Sequence, residues 1–278
     1  MLNDKRKILV STGNILNVNK KAGQKTNEEL FDCLNLTMSD PVVDTKAGII
    51  ARSNDDLLAK VKEYERNDIK IGAKVFLNHS DPNLLHEAID SLLQVLKIDH
   101  LDNLILGFHP LDGAKSKSNG TDKTNGYQNG SLGSSLTKES LLTWGDTATA
   151  IDELKELWQV LETYADDKRI CQLGIADLDT DTLIELYTSC RVKPTISQIN
   201  LSACCVVPPS MQEFCAKNEI QLLTHSDSEV LITKDSFNEI NSNLLQPFTP
   251  TWTSRYQVHI KCRGVLTARG FLMGAARD

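Results

Sequence analysis

The most reactive side chains in this sequence are seven cysteines, at positions 33, 171, 190, 204, 205, 215 and 262. Their number is odd, none forms a Cys-x-x-Cys, and no Cys/His spacing suits zinc, so reduced thiols are expected and no metal site. A disulfide between the neighbours Cys204 and Cys205 would strain the peptide, because such bonds need Cα atoms about 4.4–6.8 Å apart. Adjacent cysteines more often pack as small hydrophobes. His79 and His86 stand seven apart across a helix start, which is not ligand spacing. The glycine fingerprints of nucleotide sites, the paired-histidine zinc motif and the serine nucleophile elbow are all absent.

The elements that would position these groups read as alternating strands and helices. Lys7 to Ser11 is a short apolar strand, a Gly13-Asn14 turn follows, and a helix runs from about Asn27 to Leu36. A polar break at Asp40-Pro41 precedes a strand at Gly48 to Ala51, and Ser53 to Asp56 supplies N-cap chemistry for a helix through Glu65. Ile69 to Leu77 reads as a strand, and Ser80-Asp81-Pro82 opens a helix on which Leu85, Ala88, Ile89, Leu92 and Leu96 share one face. Leu101 to Phe108 is a near-continuous apolar strand of the kind buried on both faces. Residues 112–135 then become a Gly/Ser/Asn/Lys loop. Order resumes with a helix from Thr147, marked by Ile151, Leu154, Leu157, Trp158 and Leu161. Strands follow at 170–175, 195–201 and 220–224, separated by helices at 181–190 and 210–218. Such alternation predicts βαβ units and a parallel sheet. A short helix from Ser228, a strand at Tyr256 to Ile260 and a basic, solvated tail carrying Arg263, Arg269 and Arg277 complete the chain.

Composition agrees with one α/β domain. The 278 residues, 40% hydrophobic and 24% charged, match a single (β/α) barrel spanning 1–278. A net charge of −7 argues against nucleic acid, whose phosphates are held by clustered Lys and Arg. A small basic cluster near the N-terminus, Lys20, Lys21 and Lys25, reads as a solvated loop. No apolar run reaches the roughly 18–20 residues that cross a bilayer, so a cytoplasmic protein with no membrane partner is expected.

Three blocks carry a family resemblance. The run Arg169 to Leu178, then Val192-Lys193-Pro194 with Ser197-Gln198-Ile199-Asn200, then Ile220 to Ser226 resembles the aldo-keto reductase superfamily. With Lys74-Val75-Phe76 and the strand ending at Phe108-His109-Pro110, the likeness covers about two thirds of the chain. It implies a (β/α)8 TIM barrel of aldo-keto reductase type, irregular in its N-terminal part. A closer likeness is to the regulatory, or modifier, subunits of glutamate-cysteine ligase. Ser11 to Asn17, Gln198 to Pro209 leading to Gln221-Leu222-Leu223-Thr224-His225, and Lys261-Cys262-Arg263-Gly264 carry it. This second resemblance implies a non-catalytic subunit of a heterodimer. Its partner would be the ligase's catalytic subunit, whose use of glutamate it improves and whose feedback inhibition by glutathione it relaxes.

The aldo-keto reductase resemblance also implies what should be present for NADPH-dependent carbonyl reduction: a proton-donating Tyr tuned by a Lys and an Asp, and a His that orients substrate. Lys74 matches the Lys. Residues 24–56, which should supply the Asp and Tyr, contain no Tyr, and Tyr64 lacks the flanking pattern. The His position is Phe108, with His109 one residue late on the opposite side of the strand. The pair that grips the nicotinamide amide becomes Ala176-Asp177, and the stacking aromatic becomes Thr224 or His225; only Gln198 is retained. Lys74 is therefore expected as an interior lysine paired with a carboxylate, and Gln198 as a satisfied polar group at a strand end. No catalytic residue and no cofactor are expected, the alternative being an NADPH-dependent aldo-keto reductase with a degenerate site and vestigial contacts at Lys74 and Gln198. Ser202 to Pro209, apolar and stiffened by two prolines, is the expected contact loop. Cys204, Cys205 and Cys262 are the candidates for a reversible disulfide with the partner.

Overall fold

The computed structural model describes residues 2–18, 21, 23–108, 148–200, 206–228, 230–240 and 242–277. His109, the 112–135 loop, Cys204 and Cys205 lie outside them. The described elements share one ten-stranded mixed sheet in the order β2-β3-β1-β10-β9-β4-β5-β6-β7-β8. Its parallel half is the strand-helix alternation read from the sequence: β4 (Ile69–Leu77), α3 (Pro82–Leu96), β5 (Asn103–Phe108), α4 (Ala148–Asp166), β6 (Leu173–Ala176), α5 (Thr180–Ser189), β7 (Ile196–Asn200), α6 (Pro209–Lys217) and β8 (Gln221–His225). Each consecutive strand pair from β4 to β8 is parallel.

Local chemistry sets these elements. Helix α3 starts where the Asp81 carboxylate accepts the Asn83 amide hydrogen with Pro82 in the first turn, and ends at Lys97 in the left-handed conformation. Leu85, Ala88, Ile89, Leu92 and Leu96 are all fully buried against the sheet. Burying each large side chain among them is worth about 1.5–3 kcal/mol. On β4 the alternation is strict: Ile69, Ile71, Val75 and Leu77 face the helices, while Lys70, Gly72 and Lys74 face the other side of the sheet.

The remaining half is irregular, and not only at the N-terminus. Strands β1 (Lys7–Ser11), β2 (Pro41–Asp44) and β3 (Ile49–Arg52) form one flank, with α1 (Thr26–Ser39) and the short α2 (Leu57–Lys62) beside them. The break read at Asp40-Pro41 is in fact edge strand β2, whose proline stands at the first residue, where no ladder donor is needed. The larger correction concerns the C-terminus. The expected solvated basic tail is β10 (Val265–Ala276), hydrogen-bonded between β1 and a long β9 (Thr249–Ile260). Arg269 ion-pairs with Glu29 of α1, and Arg277 lies over the Phe248 ring at 4.8 Å. Glycines disguised this strand. Gly270 is in register with Tyr256 and Gly274 with Trp252, and a Cβ at either would strike the facing ring within 2.4 Å. Small residues opposite two fully buried large ones let the strands close.

The parallel half is rolled. Asp227, two residues beyond β8, bonds Lys74 in β4 at 2.9 Å and also Arg255 in β9. The far end of the strand series thus returns to its beginning, as a barrel wall requires.

Candidate functional site

Lys74 sits midway along β4, in register with Arg255 of β9. On β5 Gly107, in register with Phe76, leaves room for the lysine stem: a Cβ there would lie 3.2 Å from the Lys74 Cε. The Lys74 side chain is only 4% exposed, so its charge needs a partner. The partner is Asp227, itself 3% exposed. Its Oδ2 accepts from Lys74 Nζ at 2.9 Å, the Arg255 guanidinium forks onto both its oxygens, and Thr26 Oγ1 donates to Oδ1 at 2.9 Å. The Asn200 side chain donates to the Asp227 carbonyl at 2.8 Å, fixing the loop after β8. Burial opposes ionisation of Asp227, but His225, Lys74 and Arg255 outweigh it and hold the carboxyl far below the usual range. Burial pushes the Lys74 ammonium below its ordinary value, against the pull of Asp227 and Asp177.

A second pair closes the same region. His225 ends β8, and its Nε2–H donates to Asp177 Oδ1 at 2.8 Å, while its Nδ1 accepts the Asp227 amide at 3.1 Å. Asp177 holds a positive φ of 64°, an unusual conformation for a non-glycine residue that turns the chain after β6. Burial alone would depress His225, but the Asp177 and Asp227 carboxylates prevail and raise its pKa. These two residues occupy the positions where the resemblance predicts nicotinamide contacts, and here they bond to each other.

The sequence-predicted residues are thus divided. Lys74 is the expected interior lysine with its carboxylate. Gln198 departs from expectation: it is mid-strand in β7 rather than at its end, and its buried Oε1 has no hydrogen-bond partner among the described residues. Lys74 and Gln198 line one cavity. Cys262 is exposed in the β9–β10 turn, at the N-terminal end of the parallel strands. Cys33 and Cys215 are buried, and burial, with Glu29 nearby, pushes the Cys33 thiol up to about 11. Asp227 and Arg255 were missed by sequence reasoning. The available signal was that a lysine on an apolar parallel strand must have a carboxylate, but nothing local says which.

No protein-family model matches the chain. The human glutamate–cysteine ligase regulatory subunit is 28% identical over 98% of this chain and 93% of its own length. The chain is similar to glutamate–cysteine ligase regulatory subunits over nearly its whole length. The mouse regulatory subunit is likewise 28% identical, over 96% of the chain and 92% of its length. Among solved structures, an aldo/keto reductase from Brucella melitensis is 16% identical over 59% of this chain and 48% of its own, with a TM-score of 0.39, too low to bear on the site. Among the described residues no helix is long and apolar enough to cross a bilayer.

Proposed function

We propose that this chain is a non-catalytic regulatory subunit of glutamate-cysteine ligase. In this reading it binds the catalytic subunit as a heterodimer, improves its use of glutamate and relaxes its inhibition by glutathione. The observation that carries the proposal is the match to the human regulatory subunit along 98% of the chain. The geometry agrees. Lys74, which a carbonyl reductase would use to tune a tyrosine, is held by Asp227, and its other close neighbour is the Phe76 ring at 5.1 Å. No tyrosine hydroxyl is among its partners in the described residues. With His225 and Asp177 bonded to each other, no cofactor is proposed for the C-terminal ends of the strands.

A subunit acts by binding one state of its partner better than another. The test is the glutamate dependence and glutathione inhibition of the purified catalytic subunit with and without this chain, with NADPH titrated in parallel. A lower glutamate KM and weaker inhibition support the proposal, and unchanged kinetics refute it. NADPH-dependent carbonyl turnover would establish the reductase alternative instead. We further propose that Cys204, Cys205 or Cys262 forms a reversible disulfide with the catalytic subunit, oxidised glutathione accepting the two electrons. A triple Ser variant that leaves the cross-linked band unchanged on non-reducing electrophoresis excludes this.

A further inference from the structure

Barrel interiors are ordinarily filled by layers of branched apolar side chains. Here the inner face of the rolled sheet surrounds a cavity of about 460 Å³. Its wall on β4 and β9 is a ladder of registered pairs: Lys70 with His259, Gly72 with Gln257, and Lys74 with Arg255. Amides line the opposite side, Gln198 in β7 and Gln221 in β8, with Asn103 of β5 entering the space that Gly72 leaves open. No Asp or Glu is among the described lining residues. Asp227 offsets the charge at the inner end and Asp102 stands 3.6 Å from Lys261, but Lys70 makes no ion pair among the described residues.

The mouth lies at the N-terminal ends of the parallel strands, where Lys70, His259 and Lys261 surround it. That is the end opposite the His225–Asp177 pair, so the cavity is not the cofactor position of a reductase. Cations stand at both ends, about 13 Å apart along β4 from Lys70 to Lys74. Between them lies the Gln198 side chain, whose buried Oε1 has no hydrogen-bond partner among the described residues. A single inorganic ion would neither fill the volume nor reach both ends.

We propose that this cavity binds a short acidic peptide, with carboxylates directed to the two cationic ends and its polar backbone laid along the amide side chains of Gln198 and Gln221. The proposal does not depend on the regulatory reading, because it concerns the isolated chain. The probe is N-acetyl-glutamyl-glutamate, titrated calorimetrically into the full-length chain at low ionic strength. Saturable 1:1 binding is expected. Lys70→Gln, at an exposed position, and Gln198→Leu are each expected to weaken it at least tenfold, with Lys217→Gln on the outer helix α6 as the unaffected control. Thermal melts matching the parent chain confirm that the variants are folded. The proposal is overturned if wild type gives no saturable heat, if inorganic phosphate binds as tightly, or if NADPH displaces the peptide. It is equally overturned if Lys70→Gln binds like wild type.

Discussion

Replacing Asp227 by Asn removes one negative charge and almost no volume, and it strikes a buried group with several charged and polar partners. The carboxylate serves Lys74 at 2.9 Å, both guanidinium nitrogens of Arg255, and Thr26 at 2.9 Å. An asparagine can still accept from Thr26, but its amide hydrogens then face Lys74 and Arg255, donor against donor. Arg255, 22% exposed, recovers part of its loss from water, whereas Lys74, 4% exposed, does not. Removing one partner of a buried pair costs about 3–5 kcal/mol. With a urea slope of about 3 kcal/mol/M, the unfolding midpoint should fall by more than 1 M, roughly. The pH dependence identifies the cause. Because the Asp227 pKa is lowered on folding, its stabilisation is present above the unfolded value near 4 and lost only in acid, so it is undiminished from about pH 5 to 8. In the variant, Lys74 loses its counter-charge and, already depressed by burial, sheds its proton earlier as pH rises. The unfolded chain then binds more protons, so the variant should regain stability relative to wild type between about pH 7 and 10. A deficit below about 1 kcal/mol at pH 7, or one constant across that range, would refute the reasoning. Adding Lys74→Met to the variant should cost less than the sum of the single changes.

His225→Gln should destabilise more at pH 5.5 than at pH 8.5 in thermal melts. The raised pKa of His225 means its contribution is full below the unfolded value near 6.5 and lost as pH rises through the folded one. Gly270→Ala should cost upwards of about 3 kcal/mol or abolish soluble expression, since its Cβ would lie 2.1 Å from the Gly13 carbonyl oxygen and 2.4 Å from the Tyr256 hydroxyl. Tyr256→Phe, which leaves that buried carbonyl without its 2.8 Å donor, should cost about 1–3 kcal/mol by denaturant unfolding. Native-state thiol labelling read by mass spectrometry should modify Cys171 and Cys262 rapidly, and Cys33 only after unfolding, because its thiol is buried and its pKa raised to about 11.

The strand-helix order of the parallel half, β4 to β8, was legible in the sequence with ends shifted by up to three residues, because each element declares itself by its own periodicity: the stripe on α3 and the apolar run of β5 need no distant partner to be recognised. The absence of a reductase tyrosine between residues 24 and 56 was equally a property of the sequence. Tertiary structure decided the rest. Strand β10 carries glycines that argue against a strand until Trp252 and Tyr256 are seen to fill the space opposite them. The carboxylate for Lys74 comes from 153 residues away, and only the rolling of the sheet selects Asp227 from all the acidic residues. Gln198 looked like a satisfied strand-end group, and only the fold showed it mid-strand beside a cavity, its oxygen without a partner among the described residues. The physical reason is common to all three. Backbone periodicity is a short-range property, whereas the pairing of charges and the filling of space are set by which distant segments the sheet brings into contact.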